Sequence, residues 1–380
     1  MSNILIGIPC LRTGGTEMQT LHLVESLISG GHHCVTVCYF EYDFSMVQLF
    51  EKAGSKVVCL SAYGKRPQKL PDVYRFIKSG LKRVVAEYRP KIAHIQYMAP
   101  GAMPIFILRK LGLKTIIATV HTDASTYRSL RLVHFLQRRM LTAFTCVTEV
   151  AEKSFFGCSK LYNKDFLLAK HNHFTIHNCL PPSYTIANTR QPNIDSEIVI
   201  GVVARLVEIK GVDYVMPAFA QILKSQPKCK LMIVGDGYLR NVMEQQQHDF
   251  NIPEGKVEWI GSVPYEKIMD YYKQMTIVWV PSRSEGFGLS AIEAMACGCP
   301  VVASNTGGLT EIMNDSVDGL LFENGNSDDL AEKTIKLISD EEQTNKMREQ
   351  AISKAKQFTF DHYQESINSL YSKLTTLTKV

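Results

Sequence analysis

Two rhythms of apolar residues alternate along this chain. The run "NILIGI" is apolar throughout and short, as a buried strand requires, and a polar loop "PCLRTGGTE" follows it. In "MQTLHLVESLISGG" the spacing changes: Leu21, Val24, Leu27 and Ile28 fall on one helical face, and Gly30-Gly31 supplies a left-handed stop. The pattern then repeats. Strand-like runs "CVTVCYF", "KVVCL", "KIAHIQY", "KTIIATVH", "FTCVTEV" and "FTIHN" are interleaved with helical stretches such as "LKRVVAEY" and "FILRKLG". Strands separated by helices, each joined by a right-handed crossover, predict a parallel sheet covered on both faces.

The segment "CLPPSYTIANTRQPNIDSE" breaks the pattern with Pro, Asn, Ser and Thr, as a linker would. Beyond it a second series begins: strand "IVIGVVA", helix "GVDYVMPAFAQILKSQP", strand "CKLMIVG", helix "YLRNVMEQQQHDF" and strand "KVEWIG". Helix "YEKIMDYYKQM", strand "TIVWVP", helix "LSAIEAMAC" and strand "PVVAS" continue it. At the end, "TFDHYQESINSLYSKLTTL" aligns Tyr363, Ile367, Leu370, Tyr371, Leu374 and Leu377 on one face, with Thr359 or Asp361 as its cap. The chain reads as α/β, with two Rossmann-like domains. The first spans 1–180, with helix 361–380 packed back on it, the linker is 181–197, and the second domain is 198–360. Ligands of such sheets bind outside the carboxyl ends of the strands.

Composition changes this picture in two places. Residues 1–190 carry 24 Lys and Arg against 11 Asp and Glu, a balance of +13, whereas the remainder balances at −8, so the overall +5 conceals an anionic partner's preference for the first half. The ten cysteines show no C-x-x-C pair, and no export signal or membrane-length apolar run is visible, so reduced thiols and a cytoplasmic location are expected. The cluster His171, His173 and His177 lies in a strand-like run without a further ligand, which does not make a metal site.

Four motifs offer chemistry. The loop Thr13-Gly14-Gly15-Thr16, between a strand and a helix, either cradles an anion or is a tight turn. In "ARLVEIKGVD", Arg205 and Lys210 stand after a strand, where two cations can grip a diphosphate or face solvent. "GDG" at 235–237 reads as a turn. The stretch "PSRSEGFGLSAIEAMACGCP" places Glu285 in the loop after a strand and Glu293 in an apolar helix. Eight helical residues separate carboxylates by about 12 Å. Glycosidase pairs stand roughly 5 to 9.5 Å apart, so this pair suits the two ends of one long ligand better than hydrolysis of one bond.

Taken with "GGTE", "TVHTD", "VTEVAEKSF", "GDG" and "GSVP" in the same order, the run "EGFGLSAIEAMACGCPVVASNTGGLTEI" resembles the E-x7-E signature of retaining glycosyltransferases of the family 4 type, which have the GT-B fold. The resemblance covers most of the chain. It implies two facing domains with a cleft between them, and a nucleotide-diphosphate sugar as donor. It further implies that Glu285 contacts the sugar, Glu293 the ribose, and the backbone at Gly286, Phe287, Gly288 and Leu289 the sugar and phosphate. Arg205 and Lys210 match the diphosphate grip, Gly14 and Gly15 the loop that closes on it, Val263 the base strap, and His121 the histidine beside the transferred sugar. The chain departs from the pattern at His94-Ile95-Gln96, where H-x-H is common, and at Ile176-His177-Asn178-Cys179.

No D-x-D run accompanies the phosphate position, so neither a metal nor another cofactor is called for. In "RSLRLVHFLQRRML", Arg128, Arg131, Arg138 and Arg139 form a basic stripe around Phe135, suited to anionic headgroups or to solvent. The expected partners are a nucleotide sugar, a carbohydrate or lipid-linked acceptor and the inner face of an anionic membrane, with no nucleic acid. A sugar-nucleotide epimerase or hydrolase of the same fold, or a binding protein without turnover, are the competing readings.

Overall fold

Aliphatic and β-branched residues fill the strand-like runs because a parallel strand is covered on both sides, and the structure buries them accordingly: Ile4, Leu5, Ile6 and Ile8 are fully buried. The computed structural model describes residues 2–61, 66–98, 102–168, 171–187 and 197–377, with Leu377 described by its backbone only. The chain divides into two compact units, residues 1–179 with 360–380, and residues 180–359. Most of the expected linker, 188–196, lies outside the described residues, as does the side chain of Leu377.

In the first unit the elements are β1 (Asn3–Ile8), α1 (Gly15–Ser29), β2 (His33–Cys38), α2 (Phe44–Lys52), β3 (Lys56–Cys59), α3 (Leu70–Tyr88) and β4 (Ile92–Gln96). They continue with α4 (Met103–Lys110), β5 (Thr115–Val120), α5 (Leu130–Arg139), β6 (Ala143–Cys146), α6 (Glu149–Phe156) and β7 (His173–Thr175). All pairings are parallel, in the order β3-β2-β1-β4-β5-β6-β7. "FTCVTEV" is strand only as far as Cys146, because the Thr148 side chain accepts from Ala151 N and caps α6.

The second unit comprises β8 (Val199–Val203), α7 (Val215–Ser225), β9 (Lys230–Val234), α8 (Arg240–Asp249), β10 (Val257–Gly261), α9 (Ile268–Tyr272) and β11 (Ile277–Val280). There follow α10 (Leu289–Ala296), β12 (Val301–Ser304), α11 (Leu309–Ile312), β13 (Leu320–Phe322), α12 (Ser327–Ser339) and α13 (Glu341–Ala355). Its parallel sheet runs β10-β9-β8-β11-β12-β13. Trp279, at 1% exposure, anchors this core and donates its Nε1–H to Thr334 Oγ1 at 2.8 Å.

The chain then returns to the first unit as α14 (Phe360–Leu377), which packs against α1 and buries Ile367, Leu370, Tyr371 and Leu374. Tyr371 lies 2.8 Å from His94 Nδ1, so the first residue of the departed H-x-H pattern serves the core. In each sheet the strand order reverses once, between β1 and β4 and between β8 and β11. Connections leave in opposite directions there, and the crevice so formed is where open α/β sheets bind ligands.

Candidate functional site

In the second unit the candidate residues follow the two strands that flank the reversal. The loop after β8 carries Arg205, exposed and with no ion pair among the described residues, and Lys210, at the end of a 3-10 turn. The loop after β11 carries Ser282 and Glu285. Lys210 Nζ lies 2.6 Å from Glu285 Oε2, which also accepts from Ser282 Oγ at 3.1 Å. Both members of the ion pair are largely shielded, with side-chain exposures of 24% and 13%, so water screens them less than a surface pair. Two residues 75 positions apart thus meet because β8 and β11 are neighbours.

Close backbone packing sets these loops. Gly211 has φ 60° and a Cβ there would stand 1.9 Å from the Pro281 carbonyl oxygen, so only glycine lets the β8 loop lie against the end of β11. Gly307, at φ 49°, likewise would drive a Cβ to 2.2 Å from the Glu285 carbonyl oxygen, and Gly308 N donates to that same oxygen at 2.8 Å. Gly235 and Gly237 pack on the Ala204 and Leu206 carbonyls, so "GDG" buttresses the loop that holds Arg205. A further brace is the Arg283–Asp213 ion pair, with the guanidinium 4.3 Å above the Tyr214 ring.

Gly286, Phe287 and Gly288 lead into α10. Gly288 is its N-cap at φ 110°, Leu289 its first residue, and Phe287 is buried edge-on against Phe358. This corrects the helical ruler: only the residues from Leu289 onward rise at the helical rate, because the positive φ at Gly288 turns the preceding chain away from the helix path.

Glu293 is 4% exposed. The Tyr265 hydroxyl donates to its Oε1 at 2.8 Å and the Tyr272 hydroxyl to its Oε2 at 3.1 Å. Burial nevertheless dominates and raises its pKa from 4.5 to about 7, against the two tyrosine hydrogen bonds. Val263 is half-buried in the loop after β10, two residues before Tyr265, so the tyrosine ties that loop to α10.

The first unit places Gly14 and Gly15 after β1 and His121 after β5, beside Gln96 at the end of β4. Gly15 opens α1 with Gly14 as an extended N-cap, so the helix starts two residues earlier than the four-residue loop Thr13–Thr16 allows. His121, 9% exposed, gives its Nε2–H to Gln96 Oε1 at 2.7 Å and lies 4.9 Å from the Tyr97 ring. Gln96 therefore fixes the tautomer and leaves Nδ1 as a buried acceptor without a partner among the described residues. Burial holds His121 neutral by lowering its pKa to about 3. Gln19, Gln96, His121, Asn178 and Tyr363 help line a cavity of about 20 Å3, the size of a water site.

The basic stripe is shorter than expected. The Ser129 side chain accepts from Leu132 N and caps α5, so Arg128 precedes the helix and does not share its face. Arg131, Arg138, Arg139 and Phe135 are exposed, while Val133 and Leu136 are buried beneath them. Among the described residues no helix is long and apolar enough to cross a membrane. Residues that the sequence did not single out are Ser282, Arg283, Tyr184, Tyr265 and Tyr272; Ser282 stands only three residues before Glu285, whereas Arg283, Tyr265 and Tyr272 join the others through contacts distant in the chain, for which no local pattern exists.

Comparison with known proteins agrees with this architecture. Residues 186–357 match the family model of group 1 glycosyl transferases, and residues 14–153 that of the glycosyl transferase 4-like domain. The chain belongs to the glycosyltransferases of group 1, of the family 4 type, with the GT-B fold. It is 33% identical over 173 residues to an uncharacterised glycosyltransferase of Methanocaldococcus jannaschii, covering 46% of this chain and 47% of that protein. It is 35% identical over 183 residues to a D-inositol 3-phosphate glycosyltransferase of Corynebacterium jeikeium, covering 46% and 43%. The matches therefore span less than half the length of these curated relatives. In fold it is similar to Anabaena HepE solved with UDP and glucose, at a TM-score of 0.78 and 20% identity over 98% of this chain and all of that one. It is similar also to a mutant of S. aureus TarM, solved with fondaparinux, alpha-GlcNAc-glycerol and UDP, at a TM-score of 0.74 and 14% identity over 98% and 99%.

Proposed function

We propose that the protein is a retaining glycosyltransferase that moves a sugar from a nucleotide-diphosphate sugar to a hydroxyl acceptor, in the synthesis of cell-surface polysaccharide, lipopolysaccharide or glycolipid. The observation that carries this reading is the shielded Lys210–Glu285 pair at the β8/β11 reversal, beside the N-terminus of α10. A cation, a carboxylate and a helix N-terminus together match a ligand that carries a diphosphate next to a polyol. The complexes of HepE with UDP and glucose and of TarM with UDP support the same ligand chemistry.

As the bond between the anomeric carbon and the diphosphate oxygen breaks, positive charge grows on the sugar ring and negative charge on the leaving phosphate. Arg205, Lys210 and the α10 N-terminus stabilise the phosphate, the helix end by about 0.3 to 1 kcal/mol. Glu285 accepts from sugar hydroxyls and His121 Nδ1 offers them a second acceptor. The acceptor hydroxyl attacks on the face the phosphate leaves, and the phosphate takes its proton. Glu293 receives the ribose, the Val263 backbone the base, and Gly14 and Gly15 the phosphates. The exposed Arg131, Phe135, Arg138 and Arg139 suit a lipid-linked or anionic acceptor at a membrane surface in the cytoplasm.

The test is incubation with UDP-, GDP- and ADP-sugars, with and without acceptors, following the anomeric protons by NMR. A product with the donor's configuration supports the proposal, and an inverted product overturns it. Free sugar or an epimer formed without acceptor indicates a hydrolase or epimerase, and binding without turnover a binding protein. Glu285→Gln is expected to abolish turnover while donor affinity persists.

A further inference from the structure

Glu293 is the second carboxylate of its motif, yet in this structure it is closed. Its oxygens accept from Tyr265 and Tyr272, and 4% of its surface meets solvent. A ribose diol, which donates two hydrogen bonds, cannot reach a carboxylate so covered unless one of the covering groups withdraws.

The two tyrosines are not held alike. Tyr272 is fully buried in α9, and its hydroxyl also lies 3.2 Å from the Ser290 carbonyl oxygen, so the helix and two acceptors hold it. Tyr265 is half-buried and begins the three-residue 3-10 turn Tyr265–Lys267, behind a loop whose Ser262 and Pro264 are exposed. That loop follows Gly261, the last residue of β10, whose φ of 78° lies at a register shift in the pairing with β9. Ser262, Pro264, Glu266 and Lys267 are all exposed, so a shift of this segment uncovers little that they bury.

A third tyrosine points to what enters. The Tyr184 hydroxyl, from a different part of the second unit, is buried and has no partner among the described residues. Its acidity is weakened first by burial and then by the Glu293 charge, which places it near the carboxylate. A buried donor without an acceptor is costly, and a ribose oxygen would relieve it.

We propose that Tyr265 is a latch on the nucleotide site: its hydroxyl occupies Glu293 in the free protein, and the ribose diol of the donor replaces it, moving the Ser262–Pro264 loop and giving Tyr184 an oxygen to donate to. The latch rests on the reading that Glu293 receives the ribose. It makes Tyr265 a competitor of the ligand, so removing the hydroxyl tightens binding. A residue that only positioned Glu293 would have the opposite effect.

Calorimetric titration of wild type, Tyr265→Phe, Tyr272→Phe and Glu293→Gln with UDP, GDP and ADP, and with the 2',3'-dideoxy form of the tightest binder, separates the cases. Tyr265→Phe is expected to bind the ribonucleotide about tenfold more tightly, by the loss of one competing hydrogen bond to a carboxylate, and the dideoxy form no more tightly than wild type does. Tyr272→Phe, by loosening Glu293, is expected to weaken the ribonucleotide. If Glu293→Gln weakens the ribonucleotide alone but Tyr265→Phe leaves it unchanged or weaker, the latch is overturned and the ribose reading stands. If wild type and Glu293→Gln bind both forms alike, or none of the diphosphates binds, the ribose reading itself fails and the latch with it.

Discussion

Replacing Glu293 by Gln is expected to stabilise the protein, and more so as the pH rises. Burial raises the carboxyl pKa from 4.5 to about 7, even with two tyrosines donating to it. Between those values the folded chain holds a proton that the unfolded chain has released, so the native state loses stability as pH increases through this window. Above about pH 7 the buried carboxylate is charged, and the accumulated cost is about 3 kcal/mol. Glutamine never ionises, and its amide can still accept from one tyrosine and donate to the other. Between about pH 5 and pH 8 the variant should therefore gain about 2 to 3 kcal/mol over wild type, a relative rise of roughly 4 to 12 °C in melting temperature for a unit of this size. Urea or thermal melts of the two proteins across this range provide the assay. Comparing the two cancels the titration of other groups, His22 and His94 among them, which burial keeps neutral. A difference independent of pH, or one that moves towards wild type as pH rises, would refute the reasoning: it would mean that the tyrosine hydrogen bonds outweigh burial.

Three further outcomes are expected. Gly307→Ala, which forces a Cβ against the Glu285 carbonyl at a positive φ, should cost about 2 kcal/mol of stability and at least roughly tenfold in kcat, read by melts and initial rates; an unaltered kcat would remove the loop's role. His121 is folded neutral with a pKa near 3, below its unfolded value of 6.5, so stability present above pH 6.5 is lost as pH falls. His121→Asn should flatten that acid-side decline by up to about 1.4 kcal/mol per pH unit, measured in urea titrations, and parallel curves would show that the imidazole ionises in the fold. Charge reversal at Arg131 and Arg138 should weaken sedimentation with vesicles containing phosphatidylserine by roughly fivefold per site or more, and have no effect on neutral vesicles; equal partitioning would assign the stripe to solvent.

Much of the fold is legible in local pattern because strands and helices declare themselves through periodicity, and the alternation of the two dictates parallel sheets. The misreadings lie at boundaries and have local causes. Thr148 and Ser129 are N-caps: Thr148 ends the strand-like run "FTCVTEV" sooner than hydrophobicity suggests, and Ser129 starts α5 later, leaving Arg128 outside it. The glycines of "GDG" read as a turn, while their reason, as for Gly307, is the carbonyl oxygens of other loops packed against them, which lie far away in sequence.

What the sequence by itself determined is the class: two α/β units, the order of their motifs, and a pair of glutamates in the loop and helix after one strand. These depend on neighbours within one or two turns of chain, and such neighbours are written consecutively. Only the tertiary structure decided how the two glutamates differ. Glu285 meets Lys210 because β8 and β11 lie side by side at the reversal of the sheet, and it stays partly open. Glu293 is enclosed by tyrosines from α9 and from the turn before it, and burial there shifts its proton. Desolvation is a property of everything within a few ångströms of an atom, and only the folded chain brings those atoms together.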